Sequence, residues 1–158
     1  MGVVRSPDEL CGLFRASGRK VTPQRRRIFE LLEGNSSHPT ADNIYLELVK
    51  DMPTVSLKTV YLTLKELEEM GEIQCLDLGM GSARFDPNVD LEHHHLVCVS
   101  CGQVRDFELS LSQDLKCQVP EAIFSVTKAE IVFRGTCIVC QRNGGVSAVG
   151  SRDKVRIS

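Results

Sequence analysis

Seven cysteines and four histidines carry most of the chemistry in this 158-residue chain. Cys98-Val99-Ser100-Cys101 and Cys137-Ile138-Val139-Cys140 form two CxxC pairs. A two-residue gap lets both thiolates of a pair reach one ion from a tight turn. Two such pairs complete a tetrahedral shell, the geometry of structural zinc. The pairs lie farther apart than in small zinc modules, so the ion would fasten the end of the chain onto an earlier strand. A redox dithiol or a tetrathiolate iron centre competes with this reading. A thioredoxin-like site needs one CxxC at a helix start after a strand, whereas each pair here reads as a turn beside a strand. The doubled motif therefore favours zinc. Cys11, Cys75 and Cys117 have no partner at ligand spacing and read as core or surface thiols.

Three histidines are consecutive, His93-His94-His95, and the fourth is His38. On an extended segment His93 and His95 share one face and His94 takes the other, so His93 and His95 can chelate. Asp86 and Asp106 are candidate carboxylates. Nitrogen and carboxylate ligands without thiolate suit Fe²⁺ or Mn²⁺ as well as zinc. Such a site would exchange its metal more readily than four thiolates, as a sensor requires. Spacing alone favours the blander alternative, in which His38 and Asp86 have nothing to do with the triple histidine.

Helices and a hairpin must position these groups. Thr22-Pro23, Thr40 and Ser56 are helix starts, followed by apolar residues at helical spacing: Ile28, Leu31 and Leu32; Ile44, Leu48 and Val49; Leu57, Val60, Leu64 and Leu67. Ile73 to Leu78 and Ala83 to Asp86 flank a Gly-rich turn and predict two short strands. Three helices and a hairpin match a winged helix-turn-helix, or an ordinary helical domain whose hairpin has no role. Pro87 to Asp90 reads as a hinge. Beyond it, Leu96 to Val99 and Val104 to Phe107 read as strands, Leu109 to Val119 as a helix, and Ile123 to Arg134 as β-favouring. The expected class is α+β. The expected division is 1–86 for the first domain, 87–92 for the hinge, 93–140 for the second domain and 141–158 for a disordered tail.

Hydrophobic residues at 42% and charged residues at 25% fit a folded soluble chain. No signal-peptide run or membrane-length apolar stretch is present in the sequence, so a cytoplasmic location is expected. The net charge of −2 excludes a wholly basic nucleic-acid coat but permits a local DNA-binding face.

Taken together the residues resemble the ferric uptake regulator (Fur) family from about Gly18 to Cys140. The resemblance is carried by Val21-Thr22-Pro23-Gln24-Arg25, His38-Pro39-Thr40-Ala41-Asp42, Ser56 to Leu64, Arg84-Phe85-Asp86, His93 to Gly102 and Cys137 to Cys140. It implies a winged-helix DNA-binding domain, a C-terminal α/β dimerisation domain and a homodimer on palindromic double-stranded operator DNA. It places structural zinc on Cys98, Cys101, Cys137 and Cys140. It places a regulatory Fe²⁺ or Mn²⁺ on His38, Asp86, His93, His95 and Asp106, so the isolated reading of His38 and Asp86 gives way. Iron-sensing members usually carry glutamate at the positions of Asp86 and Asp106, and aspartate at both resembles the peroxide-sensing (PerR) branch. Zinc-sensing members place a cysteine in the regulatory site, and no spare cysteine here matches that motif. The late histidine of a further iron-sensor site falls on Ala129.

The implied function is a metal-dependent transcriptional repressor that senses peroxide by iron-catalysed oxidation at His38 or His93. A plain iron-responsive repressor is the alternative. The third predicted helix would enter the major groove with Lys58, Thr59, Tyr61, Leu62, Thr63 and Lys65 outward. Leu62 stands where relatives usually carry a polar residue or arginine, and suits a thymine methyl. Arg19, Lys20, Arg25, Arg26 and Arg27 would grip phosphates. A metalloenzyme would need an open coordination position and a placed base, and the sequence has no HExxH-type motif, so no enzyme activity is expected. A thiol redox protein is the other rival.

Overall fold

The computed structural model describes residues 5–89, 93–109, 125 and 130–144. The chain divides into two compact units, Met1–Leu91 and Glu92–Ser158.

The first unit holds four helices among the described residues: α1 (Pro7–Ala16), α2 (Pro23–Leu32), α3 (Ala41–Asp51) and α4 (Leu57–Glu69). Each starts on a hydroxyl cap. Ser6, Thr22, Thr40 and Ser56 each accept a backbone N–H three residues on, satisfying a donor that the first helical turn leaves open. α1 was not expected from the periodicity. Its signal is local: Ser6 and Glu9 form a reciprocal capping box around Pro7. The helix then turns Leu10, Cys11 and Phe14 into the core.

The core is one cluster. Phe14, Ile28, Phe29, Leu32, Leu48, Val60, Leu64 and Leu67 are fully buried, and Phe14 meets Phe29 edge to face at 4.9 Å. Each side chain of this size contributes about 1.5–3 kcal/mol on burial, so this cluster is what fixes the angle of α4. A hairpin follows α4. β1 (Gln74–Leu76) and β2 (Arg84–Asp86) pair antiparallel with Cys75 opposite Phe85. The turn between them needs left-handed backbone at Gly79 and Gly81 (φ 66° and 94°), and Asp77 Oδ1 accepts the Gly79 N–H at 3.0 Å. Four helices and a wing make this unit a winged helix-turn-helix, with α3 and α4 as its helix-turn-helix.

The second unit is a mixed sheet in the order β4–β3–β5, with β3 (His94–Cys98), β4 (Val104–Phe107) and β5 (Val132–Gly135). β4 is antiparallel to β3, and β5 is parallel to it. A short helix, α5 (Ile138–Arg142), follows β5. Gln141 and Arg142 therefore belong to a helix and not to a disordered tail, while residues 145–158 lie outside the described residues. The helix expected over Leu109 to Val119 also falls outside them, as does Cys117. Among the described residues no helix is long and apolar enough to cross a membrane.

Candidate metal centres and nucleic-acid face

The parallel pairing of β3 with β5 explains how two distant CxxC motifs meet. Cys98 lies opposite Gly135 at the ends of strands running in one direction, so the Cys98-Cys101 turn and the start of α5 lie at the same edge of the sheet. Cys137 is the N-cap of α5 and Cys140 lies within it, so the second pair sits at a helix start and not in a turn as expected. Val99 N–H donates to Gly135 O at 2.8 Å, and Cys137 N–H donates to Cys98 Sγ at 3.2 Å. The sulfurs of Cys98, Cys101, Cys137 and Cys140 all lie within 4.8 Å of one another, with Cys101 and Cys137 3.9 Å apart. Zn–S bonds of about 2.3 Å at tetrahedral angles require sulfurs about 3.8 Å apart. The residues fit the ion.

The electrostatics point the same way. N–H donation from Cys137, then from Cys101, brings the Cys98 thiol down to about 6. Hydrogen bonds to Cys137 and Cys101 push Cys140 up to about 12. Four sulfurs this close cannot share negative charge by themselves, and a dication reverses that preference.

The other predicted ligands fall into two groups, one in each unit. In the first unit His38 and Asp86 are both buried, with Nε2 and Oδ1 3.6 Å apart. Their meeting is built by the backbone. His38 adopts φ 50°, a left-handed conformation unusual for a residue with a side chain and one that costs on the order of 1–3 kcal/mol. Phe85 N–H donates to Pro39 O at 3.0 Å, and Arg84 Nη1 donates to His38 O at 3.2 Å. The wing is thus pinned along the His38-Pro39 segment, which sets Asp86 beside the ring. Asn88 N–H donates to Asp86 Oδ1 at 2.8 Å, holding the carboxylate.

In the second unit His95 lies opposite Asp106 in the β3–β4 register. Asp106 Oδ1 is 3.8 Å from His93 Nε2 and 3.9 Å from His95 Nε2. The two rings meet edge to face at 4.8 Å. His94 takes the opposite face, as alternation requires, and its Nδ1 accepts the Ile131 N–H at 3.2 Å. One functional residue escaped the sequence. Glu130 Oε1 lies 2.8 Å from His95 Nδ1. No spacing signal announces it, because the contact is made by strand pairing across 35 positions.

The residues expected to face DNA differ in their exposure. Tyr61 and Leu62 on α4 are 46% and 49% exposed, and Lys20, Lys58 and Lys65 are exposed. Thr59 is half-buried, and its hydroxyl lies 2.9 Å from that of the cap Ser56. Thr63 is a correction. It is fully buried, and its Oγ1 donates to Thr59 O at 2.8 Å, so it cannot reach a base. Its hydroxyl is satisfied one turn back along the helix, which lets a polar residue sit on the packed stripe.

The basic cluster is also largely neutralised. Arg25 pairs with Glu66 at 2.5 Å, lies over the Phe14 ring at 5.3 Å and donates to Lys20 O. That makes it an internal clamp, contrary to its expected grip on phosphate. Arg19 faces Glu66 and Glu69, Arg26 pairs with Asp8 and Glu30, and Arg27 pairs with Glu30 and Asp51.

Comparison with known proteins gives a consistent picture. The sequence profile of the ferric uptake regulator family matches residues 16–134. The chain is 33% identical to the peroxide-responsive repressor PerR of Staphylococcus aureus over 135 residues, covering 85% of this chain and 90% of that one. Its fold matches the Francisella tularensis ferric uptake regulator solved with iron, with TM-score 0.69, 27% identity, and 78% and 96% of the two chains covered. It also matches the Helicobacter pylori ferric uptake regulator Fur, with TM-score 0.75, 19% identity, and 89% and 97% covered.

Proposed function

We propose that this chain, which belongs to the ferric uptake regulator family, is a metal-dependent transcriptional repressor that binds operator DNA as a homodimer and releases it when peroxide oxidises its metal site. The first unit supplies the DNA-reading helix α4 and its wing. The second supplies the zinc-fastened sheet, through which two copies pair. His38 and Asp86 would join His93, His95 and Asp106 around one exchangeable Fe²⁺ or Mn²⁺. An ion held by ligands from both units favours a single relation between them, and so ties DNA affinity to metal occupancy.

One observation carries the peroxide reading. The carboxylates facing the histidines within each unit are the short aspartates Asp86 and Asp106. Similarity to the peroxide-responsive repressor of S. aureus supports the same reading. Ferrous iron bound there would reduce peroxide beside its own imidazole ligands. What the chain would contribute is placement: His38 and His93, both buried, would hold that ion through their rings and so be exposed to any oxidant it generated. The four cysteine thiolates would be occupied, and so protected, once zinc is bound.

The test is mass spectrometry of the Fe²⁺- and Mn²⁺-loaded protein after brief exposure to dilute peroxide, with operator binding read in parallel. The expected result is one added oxygen on a peptide containing His38 or His93, with iron only, together with loss of DNA binding. Histidines that stay unmodified while iron-loaded protein keeps its DNA would overturn the peroxide reading in favour of a plain iron-responsive repressor.

A further inference from the structure

We infer that Glu130 is the positioning residue of the exchangeable metal site, fixing which nitrogen of His95 is offered to the ion. The inference rests on the proposed role of His95 as a ligand and assigns a group beyond the five residues named for that site.

His95 is almost completely buried, so its ring cannot settle its tautomer by exchanging partners with bulk water. Its Nδ1 lies 2.8 Å from Glu130 Oε1, and the Glu130 side chain is only 24% exposed. A carboxylate accepts hydrogen bonds and does not donate them, so the hydrogen of a neutral His95 ring sits on Nδ1. Nε2 is then left with its lone pair. It is Nε2 that lies 3.9 Å from Asp106 Oδ1, on the side where His93 also stands.

The main chain holds the carboxylate in place. His95 N–H donates to Ile131 O at 3.1 Å, and His95 lies opposite Val132 in the parallel β3–β5 pairing. Glu130 therefore stands two residues before β5 and one residue before the carbonyl that binds the His95 backbone. Ring and carboxylate are registered by the same pair of strands. Neighbouring His94 makes the contrasting arrangement: its Nδ1 accepts the Ile131 N–H and so carries no hydrogen itself. Consecutive histidines are thus assigned opposite tautomers by the two consecutive residues that lead into β5, Glu130 and Ile131. A carboxylate behind a ligating imidazole orients the ring and makes its free nitrogen a stronger donor.

The experiment uses full-length zinc-loaded protein with Glu130→Leu and Glu130→Gln. Mn²⁺ affinity is read by electron paramagnetic resonance, and the His95 tautomer by ¹⁵N shifts before Mn²⁺ is added. Glu130→Leu removes both hydrogen bond and charge. It should weaken Mn²⁺ by roughly 10- to 100-fold and move the His95 hydrogen off Nδ1, with zinc content unchanged. Glu130→Gln keeps an accepting oxygen, so it should keep the tautomer and lose less affinity. If the leucine variant fails to fold, a glutamine variant with undiminished Mn²⁺ affinity decides against the inference. Wild-type protein that binds Mn²⁺ no better than Glu130→Leu, or a tautomer that the leucine leaves in place, overturns the role of Glu130 alone. Wild-type protein that takes no Mn²⁺ overturns the proposed metal site and this inference with it.

Discussion

Arg25 and Glu66 are joined at 2.5 Å, with only 13% and 18% of their side chains exposed. The pair ties α2 to α4, the helix proposed to read DNA, and the Phe14 ring beneath the guanidinium brings α1 into the same junction. A charge in this position serves the pose of α4. Removing Arg25 leaves Glu66 half-buried beside Arg19, 3.8 Å away, as its remaining cation. We expect Arg25→Ala to lose about 1–3 kcal/mol of stability. Urea unfolding measures it, and the salt dependence of DNA binding should hardly change. A slope of log Kd against log salt that falls by about one would instead mark a phosphate contact.

Leu62 and Thr63 are adjacent but face opposite environments. Thr63→Val should leave operator affinity as it is, since its hydroxyl is spent on Thr59 O within the helix. Leu62→Ala should weaken specific binding by roughly four-fold, the value of one or so buried methylenes at about 0.8 kcal/mol each, with non-specific binding unchanged. Replacing thymine by uracil in a selected operator should reproduce that loss in the wild type and add little in the variant. Equal losses from uracil in both proteins would remove Leu62 from the recognition surface.

Cys98→Ser should unfold the second unit, because the strands β3 and β5 are joined at their ends by the cluster Cys98 belongs to. Zinc content should fall from one per chain to none, and the protein should lose its dimer, seen by sedimentation. The winged-helix unit, with its own core, should keep its helical circular dichroism. Structural zinc contributes folding energy directly, so a strong chelator applied to the wild type should have the same effect. A serine variant that retains both zinc and dimer contradicts this account.

Much of this arrangement was legible in the residues themselves. The caps at Thr22, Thr40 and Ser56, the wing around Gly79, and the two CxxC pairs carry their signals locally, within a few positions. Ser6 and Glu9 did so too, yet α1 is short and carries Gly12, which dilutes its periodicity. Other features were hidden for physical reasons. A threonine inside a helix satisfies itself against the preceding turn, so Thr63 reads as a surface residue while occupying the packed face. The partners of Arg25 and His95 lie 41 and 35 positions away, beyond any spacing rule. The left-handed backbone at His38 has no signature except the proline that follows it.

The parallel alignment of β3 with β5 also sets an order of events during synthesis. An antiparallel neighbour such as β4 can join β3 through a short turn as soon as both have emerged, but a parallel strand must wait for a long crossover. His95 gains its backbone partner Ile131, and the carboxylate of Glu130, only when the chain has been made past them. Cys98 and Cys101 wait longer still, for Cys137 and Cys140. A nascent chain can therefore complete the winged helix while β3 still lacks its β5 partner. Bringing the distant strand home costs loop-closure entropy, and slow non-local pairing of this kind limits folding rate. Until Cys137 and Cys140 are made, Cys98 and Cys101 supply only half of a four-sulfur shell, so closing the sheet and completing that shell are one event.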